Sequence, residues 1–79
     1  GYANEHFAIT KKGKTLYLHI LEPTKAISVE IPAEIVEAKS FINKMPVNFK
    51  STGINNIYVF DTSNLEVNPI DTIIELRIK

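Results

Sequence analysis

The stretch TKKGKTLYLHILEP, residues 10–23, determines the fold class, because a turn, a strand and a strand end follow one another within it. Lys12-Gly13 predicts a tight turn in which Gly13 takes a positive φ. The next residues predict a strand with two largely apolar faces: Leu16, Leu18 and Ile20 on one, and Thr15, Tyr17, His19 and Leu21 on the other. Such a strand is typical of the middle of a sheet that is covered on both sides. Pro23 ends it, since proline donates no backbone hydrogen bond.

The rest of the chain repeats this pattern of short β-branched and aromatic runs between turn signals. Further strands are predicted over residues 7–10, 26–31, 46–50, 57–61 and 71–78, and residues 51–56 (STGINN) predict a hairpin loop. Residues 33–42 fit either a short helix or a strand. We favour a strand over 35–42, because a lone helix would interrupt the pattern. The prediction is a single all-β domain over residues 1–79, a small antiparallel two-sheet β-sandwich of about seven to eight strands.

Composition argues against several classes of partner. Nine Lys and Arg balance nine Asp and Glu, whereas proteins that bind nucleic acid usually carry a basic excess. The basic cluster of Lys11, Lys12 and Lys14 is interpreted as a solvated turn, with an anion contact as the alternative. No apolar run approaches the length of a membrane helix, and no cysteine is present. We therefore expect no nucleic-acid or membrane partner and no thiolate metal site.

The sequence also contains no recognisable catalytic apparatus. Glu30, Glu34 and Glu37 lie near predicted strand ends rather than as a convergent pair. His6 and His19 lack carboxylate partners at the spacing of a metal site. There is no nucleophile elbow and no phosphate-binding loop. We predict no catalytic residue, no cofactor and no metal ion in this chain, which would then not be an enzyme by itself.

The opening stretch resembles the start of the C-terminal β-sandwich of bacterial α-L-fucosidases. That family has a segment T-x-K-G-x-x-L-Y that runs on to W-P. The residues that fit are Thr10, Lys12, Gly13, Leu16, Tyr17 and Pro23, while Glu22 stands where the family has tryptophan. The segments AISVEIP (26–32), PVNFKSTGINNIYVFD (46–61) and DTIIELRIK (71–79) resemble the strands that follow in the family.

The resemblance implies an accessory domain, excised from the C-terminus of a larger enzyme. The parent would be a retaining glycoside hydrolase that acts on terminal α-L-fucosyl linkages, and the partner of this domain would be its catalytic barrel. The family's catalytic residues lie in that barrel and match no position here. Periplasmic or extracellular localisation is expected for the parent by the same resemblance.

Three residues are the candidate contacts with a neighbouring domain or with the rim of a sugar pocket: Tyr17, His19 and Leu21. They share the second face of the predicted central strand, which is available to meet the barrel. An autonomous carbohydrate-binding or protein-interaction module is the alternative. The absence of tryptophan counts against a sugar platform, because aromatic residues at strand spacing more often belong to a core or an interface.

Overall fold

The computed structural model describes residues 2–3, 7–21, 25–63 and 72–79, and within them the chain is all-β. The strands are β1 (Tyr2–Ala3), β2 (Phe7–Lys12), β3 (Thr15–Ile20), β4 (Ala26–Glu30), β5 (Ile35–Ser40), β6 (Phe49–Ser51), β7 (Ile57–Asp61) and β8 (Thr72–Ile78). They form two antiparallel sheets. The large sheet has the order β1-β2-β3-β8-β5, and the small sheet has the order β4-β7-β6. The predicted all-β, two-sheet fold class is confirmed.

The hairpin between β2 and β3 has the predicted tight turn. Lys12 pairs with Thr15, which leaves only Gly13 and Lys14 in the turn. Gly13 has a φ of 62°, and Lys14 does not share the positive φ. A positive φ at the first central position alone is the arrangement of a type II′ turn. A Cβ built on Gly13 would meet nothing within 4 Å, so backbone conformation alone favours glycine here.

Replacing Gly13 by alanine is therefore expected to destabilise the domain by about 1 kcal/mol, because a side chain disfavours positive φ even where space is free. Urea denaturation measures the loss. Lys14→Ala, at the other turn position, is the matched control and should change the free energy of unfolding by less than about 0.5 kcal/mol. Equal losses in the two variants would show that the φ of Gly13 is not what the turn requires.

The core lies between the two sheets and follows the predicted alternation. From the large sheet it contains the inward side chains of β3 and β8, namely Leu16, Leu18, Ile20, Ile74, Leu76 and Ile78. From the small sheet, Val29 and Phe60 are fully buried against them. The ring of Phe60 lies 6.0 Å from that of Phe49 and 6.5 Å from that of Tyr58, measured between centroids. Apolar residues at every second position thus place both sheets around one core.

Strand β5 confirms that this region is a strand, ending at Ser40 rather than at the predicted residue 42, and the helix alternative is wrong. Its pairing with β8 shifts between Ile35 and Glu37, which marks a β-bulge. Val36 and Glu37 are consequently both exposed, while Ala38 is buried. An extra residue at this point reverses the alternation for the rest of the strand. Phe41, just beyond β5, therefore turns away from the core and is 43% exposed.

Some strand bounds differ from the prediction. The strand predicted over 46–50 is β6, Phe49–Ser51, and Pro46 forms only an isolated bridge with Lys39. The reason is that Val47 donates its N–H to the Ala38 carbonyl of the large sheet, at 3.0 Å, before the chain joins the small sheet. Strand β2 extends two residues further than predicted, to Lys12. The predicted strand end at Pro23 and start at Asp71 lie outside the described residues.

Candidate functional site

The candidate contact residues lie on the face of the large sheet that turns away from the small sheet. Alternation along β3 places Tyr17 and His19 there, because Leu18 between them is buried in the core. Both are half-buried, so this face of β3 is only partly covered within the chain. Leu21 follows the end of β3 and is 55% exposed. We call this surface the outer face; the residues that define it are Thr10, Tyr17, His19, Leu21, Phe41, Lys44, Ile73 and Glu75.

An aromatic pair forms the centre of the outer face. The rings of Tyr17 and Phe41 meet edge to face, with centroids 5.9 Å apart and planes at 84°. Lys44 Nζ lies 4.6 Å from the centroid of the Phe41 ring, within the range of a cation–π contact. The edge-to-face pair gives both rings a fixed orientation. The result is an ordered apolar patch that stays open to solvent at Phe41.

Beside the aromatic pair, Glu75 is the anchor of an ion-pair network. Its Oε1 lies 3.2 Å from Lys44 Nζ and its Oε2 lies 3.4 Å from Lys39 Nζ. Burial raises the pKa of Glu75, but hydrogen bonds and charge from Lys44 and Lys39 outweigh it, so the pKa lies below the ordinary 4.5. The carboxylate is therefore ionised at neutral pH. It positions two lysines and is not available as a proton donor.

The lowered pKa of Glu75 makes the stability of the domain depend on pH. A carboxyl group with a depressed folded-state pKa stabilises the protein above its unfolded-state pKa, and this contribution is lost as the pH falls through the folded-state value. The melting temperature of the wild type should therefore drop as the pH falls below 4.5, and Glu75→Gln should lack that component. The double variant Lys39→Gln/Lys44→Gln should lack it as well, with Glu75 intact. Parallel curves for wild type and Glu75→Gln across this range would contradict the assignment.

His19 is held on the outer face by the neighbouring strand. Its Nε2 lies 3.1 Å from Thr10 Oγ1, a hydrogen bond whose donor depends on the imidazole tautomer. Thr10 is on β2 and pairs with Tyr17, so this hydrogen bond runs diagonally between the strands. Among the described residues, no group of three His, Cys, Asp or Glu side chains is arranged to hold a metal ion.

The sequence predictions located Tyr17 and His19 but missed Phe41 and Lys44. Phe41 lies 24 positions beyond Tyr17 and reaches the outer face only because of the bulge in β5. Lys44 reaches it because it takes a φ of 61° in the turn after β5. Neither the bulge nor this backbone conformation has a marker such as glycine in the sequence. The only signal in the sequence is an aromatic residue, Phe41, directly before a polar turn.

The described part of the outer face is a mixed apolar and charged surface. It combines an ordered aromatic pair, an exposed leucine at the end of β3 and charged groups already held in ion pairs. Glu75 pairs directly with Tyr17 across β3 and β8, and Lys44 lies over the Phe41 ring, so the charged groups lie next to the aromatic pair.

In the described part of the chain, no helix is long and apolar enough to cross a membrane. Comparison of the chain with protein-family models, with curated proteins and with solved structures gives no match.

Proposed function

We propose that this chain is a non-catalytic accessory domain that packs through its outer face on the catalytic barrel of a parent α-L-fucosidase. The observation that carries the proposal is the half-covered Tyr17–Phe41 pair on the outer face. Aromatic anchors with a surrounding polar rim contribute most of the energy of many interfaces. A neighbouring domain would bury this patch and so stabilise both partners.

The residues of the opening stretch that carry the resemblance divide into two groups by their position in the fold. Gly13 makes the turn and Leu16 is buried in the core, so these two matched residues serve the sandwich itself. Tyr17 and Thr10 instead lie on the outer face, where Tyr17 meets Phe41 and Thr10 meets His19. The second pair of residues is the part of the motif that can serve a neighbour. The parent would hydrolyse terminal α-L-fucosyl linkages with retention, as the resemblance implies.

The proposal is tested on the complete reading frame that contains this chain. A catalytic barrel should be encoded upstream, and deleting residues 1–79 should lower its melting temperature by several degrees. Tyr17→Ala in the complete protein should reproduce part of that loss. A frame that encodes no barrel, or a barrel whose melting temperature is unchanged by the deletion, would overturn the proposal.

A sugar-binding module is the second candidate, and one observation favours it. The half-buried ring of Tyr17 lies beside the hydrogen-bonded His19–Thr10 pair, and sugars are held by aromatic rings next to polar groups. Titration of the chain with methyl α-L-fucoside, followed by NMR, separates the two candidates. Saturable shifts at Tyr17 and Phe41 would favour the sugar-binding module, and unchanged spectra would favour a protein contact.

A further inference from the structure

The two sheets differ in width, and the difference leaves part of the large sheet uncovered. Over the described residues, the large sheet contains five strands and the small sheet three. The hydrogen bond from Val47 to Ala38 ties the start of β6 to β5. If β6 is stacked on β5, the strand orders place β7 over β8 and β4 over β3. Strands β2 and β1 of the large sheet then have no strand of the small sheet above them. A strip one strand wide therefore lies beside β4 and above β2.

A cavity of about 590 Å³ occupies this strip. Its floor comes from the large sheet, where Ile9, Leu16 and Ile78 are apolar and Thr10 and Lys11 are polar. Ile31 and Ala33, just after β4, line its side. Its size falls within the usual range of binding pockets. Because the floor is formed by paired strands, the cavity is a fixed feature of the sandwich.

Strand β4 reaches this cavity at Glu30, and over the residues that the structure describes the outward backbone groups of Ser28 and Glu30 have no partner. Ile31 donates to the Asn56 carbonyl at 2.9 Å, and Thr62 donates to the Lys25 carbonyl at 3.0 Å. The odd-numbered residues of β4 therefore hydrogen-bond to β7, and the N–H and C=O of Ser28 and Glu30 point away from it. Among the described residues, no other strand pairs with β4. Such an edge accepts a further strand.

We propose that an extended segment of another polypeptide adds to β4 as a fourth strand of the small sheet. Its main chain would hydrogen-bond to Ser28 and Glu30, and its apolar side chains, at alternate positions, would fill the cavity above Ile9 and Leu16. A peptide strand fits better than a small apolar ligand, because a peptide main chain can hydrogen-bond to the outward N–H and C=O groups of Ser28 and Glu30. The small sheet supplies the pairing edge of this site and the large sheet supplies the outer face, with Thr10 bordering both, so the inference does not depend on the proposed function.

A second copy of the chain is a poorer occupant than a single strand. If β4 paired with β4 of a second copy, the two large sheets would lie on the same side of the joined small sheets and would approach each other edge to edge. Each large sheet extends past β4 by β2 and β1, so the two extensions would occupy the same space. The strip accepts one strand, and the partner is therefore a polypeptide segment with apolar residues at every second position.

The test uses a library of random short peptides displayed on phage and sorted against the complete chain. Selected peptides should alternate apolar and polar residues, and their synthetic versions should bind wild type and Ser28→Ala alike. Ser28→Pro should weaken binding about tenfold, because proline removes the outward N–H but leaves the bonds to β7 in place. Peptides without alternation, an affinity unchanged by Ser28→Pro, or no selected peptide would each overturn the proposal.

A second variant tests the site independently, in case Ser28→Pro fails to fold. Ala33→Phe places a large side chain in the cavity from its wall and should abolish peptide binding. Its melting temperature should not fall, because the added ring enters open space rather than the packed core. Peptide binding that survives in a folded Ala33→Phe protein would place the peptide elsewhere. A dimer lost on Ser28→Pro, detected by sedimentation in the absence of peptide, would identify a second copy as the occupant and overturn the proposal.

Discussion

Replacing Phe60 by alanine is expected to destabilise the domain by about 3–5 kcal/mol, the range typical of a large aromatic side chain removed from a core. Phe60 is fully buried in the small sheet. Its ring packs against those of Phe49 and Tyr58, with centroids 6.0 and 6.5 Å away, and those two rings lie 6.2 Å from each other. Phe49 is held on the adjacent strand β6 and Tyr58 on β7 itself, so neither ring is free to collapse into the space that the Phe60 ring leaves. A cavity in the middle of the core is the result.

The loss is large relative to the total stability of a chain of 79 residues, which we expect to be about 4–12 kcal/mol. Urea denaturation followed by circular dichroism measures it. Val59→Ala is the matched control, since Val59 is next to Phe60 on β7 but half-buried on the opposite side of the sheet. It should cost about 1 kcal/mol. Similar losses for the two variants would mean that the core is not centred on Phe60.

Under the proposed function, replacing Tyr17 by alanine is expected to weaken docking to the proposed catalytic barrel by about 2 kcal/mol or more, a loss of roughly thirtyfold in affinity. The substitution removes the ring that meets Phe41 at 5.9 Å, and with it the apolar centre of the outer face. Calorimetry with separately produced barrel and domain measures the affinity. The half-buried position of Tyr17 means that the domain should remain folded, which denaturation of the variant checks.

Two further variants separate docking from general damage. Tyr17→Phe keeps the edge-to-face contact with Phe41 and should retain most of the affinity. Val59→Ala alters the small sheet, on the opposite side of the domain, and should leave docking unchanged. An affinity that falls as far in Val59→Ala as in Tyr17→Ala would contradict docking through the outer face.

The strands that could be predicted from the sequence are those in which apolar residues occur at every second position, because this spacing shows which side chains share one face of the sheet. Leu16 and Leu18 share one face of β3 as predicted, and the same alternation buries Ile74 and Leu76 on β8. The turn at Gly13 could be predicted because glycine marks a positive φ. The outward position of Tyr17 and His19 could be predicted from the same alternation, because a strand that buries Leu18 directs the two adjacent side chains to the opposite face.

The elements that could not be predicted depend on contacts between distant parts of the chain. The bulge in β5 arises from its pairing with β8, and it alone decides that Phe41 faces outward. The late start of β6 depends on the hydrogen bond from Val47 to the edge of β5. The unequal widths of the sheets, and the cavity that results, follow from strand order. A local pattern of apolar residues contains no information about any of these.

The central claim is that the outer face is covered by a neighbouring domain in the complete protein. Hydroxyl-radical footprinting of Tyr17 and Phe41, compared between the isolated chain and the product of its complete reading frame, tests this most directly. We expect both rings to be labelled readily in the isolated chain and protected in the complete protein, with Met45, which is 61% exposed, as an internal reference for dose. Equal labelling of Tyr17 and Phe41 in the two proteins would contradict the claim.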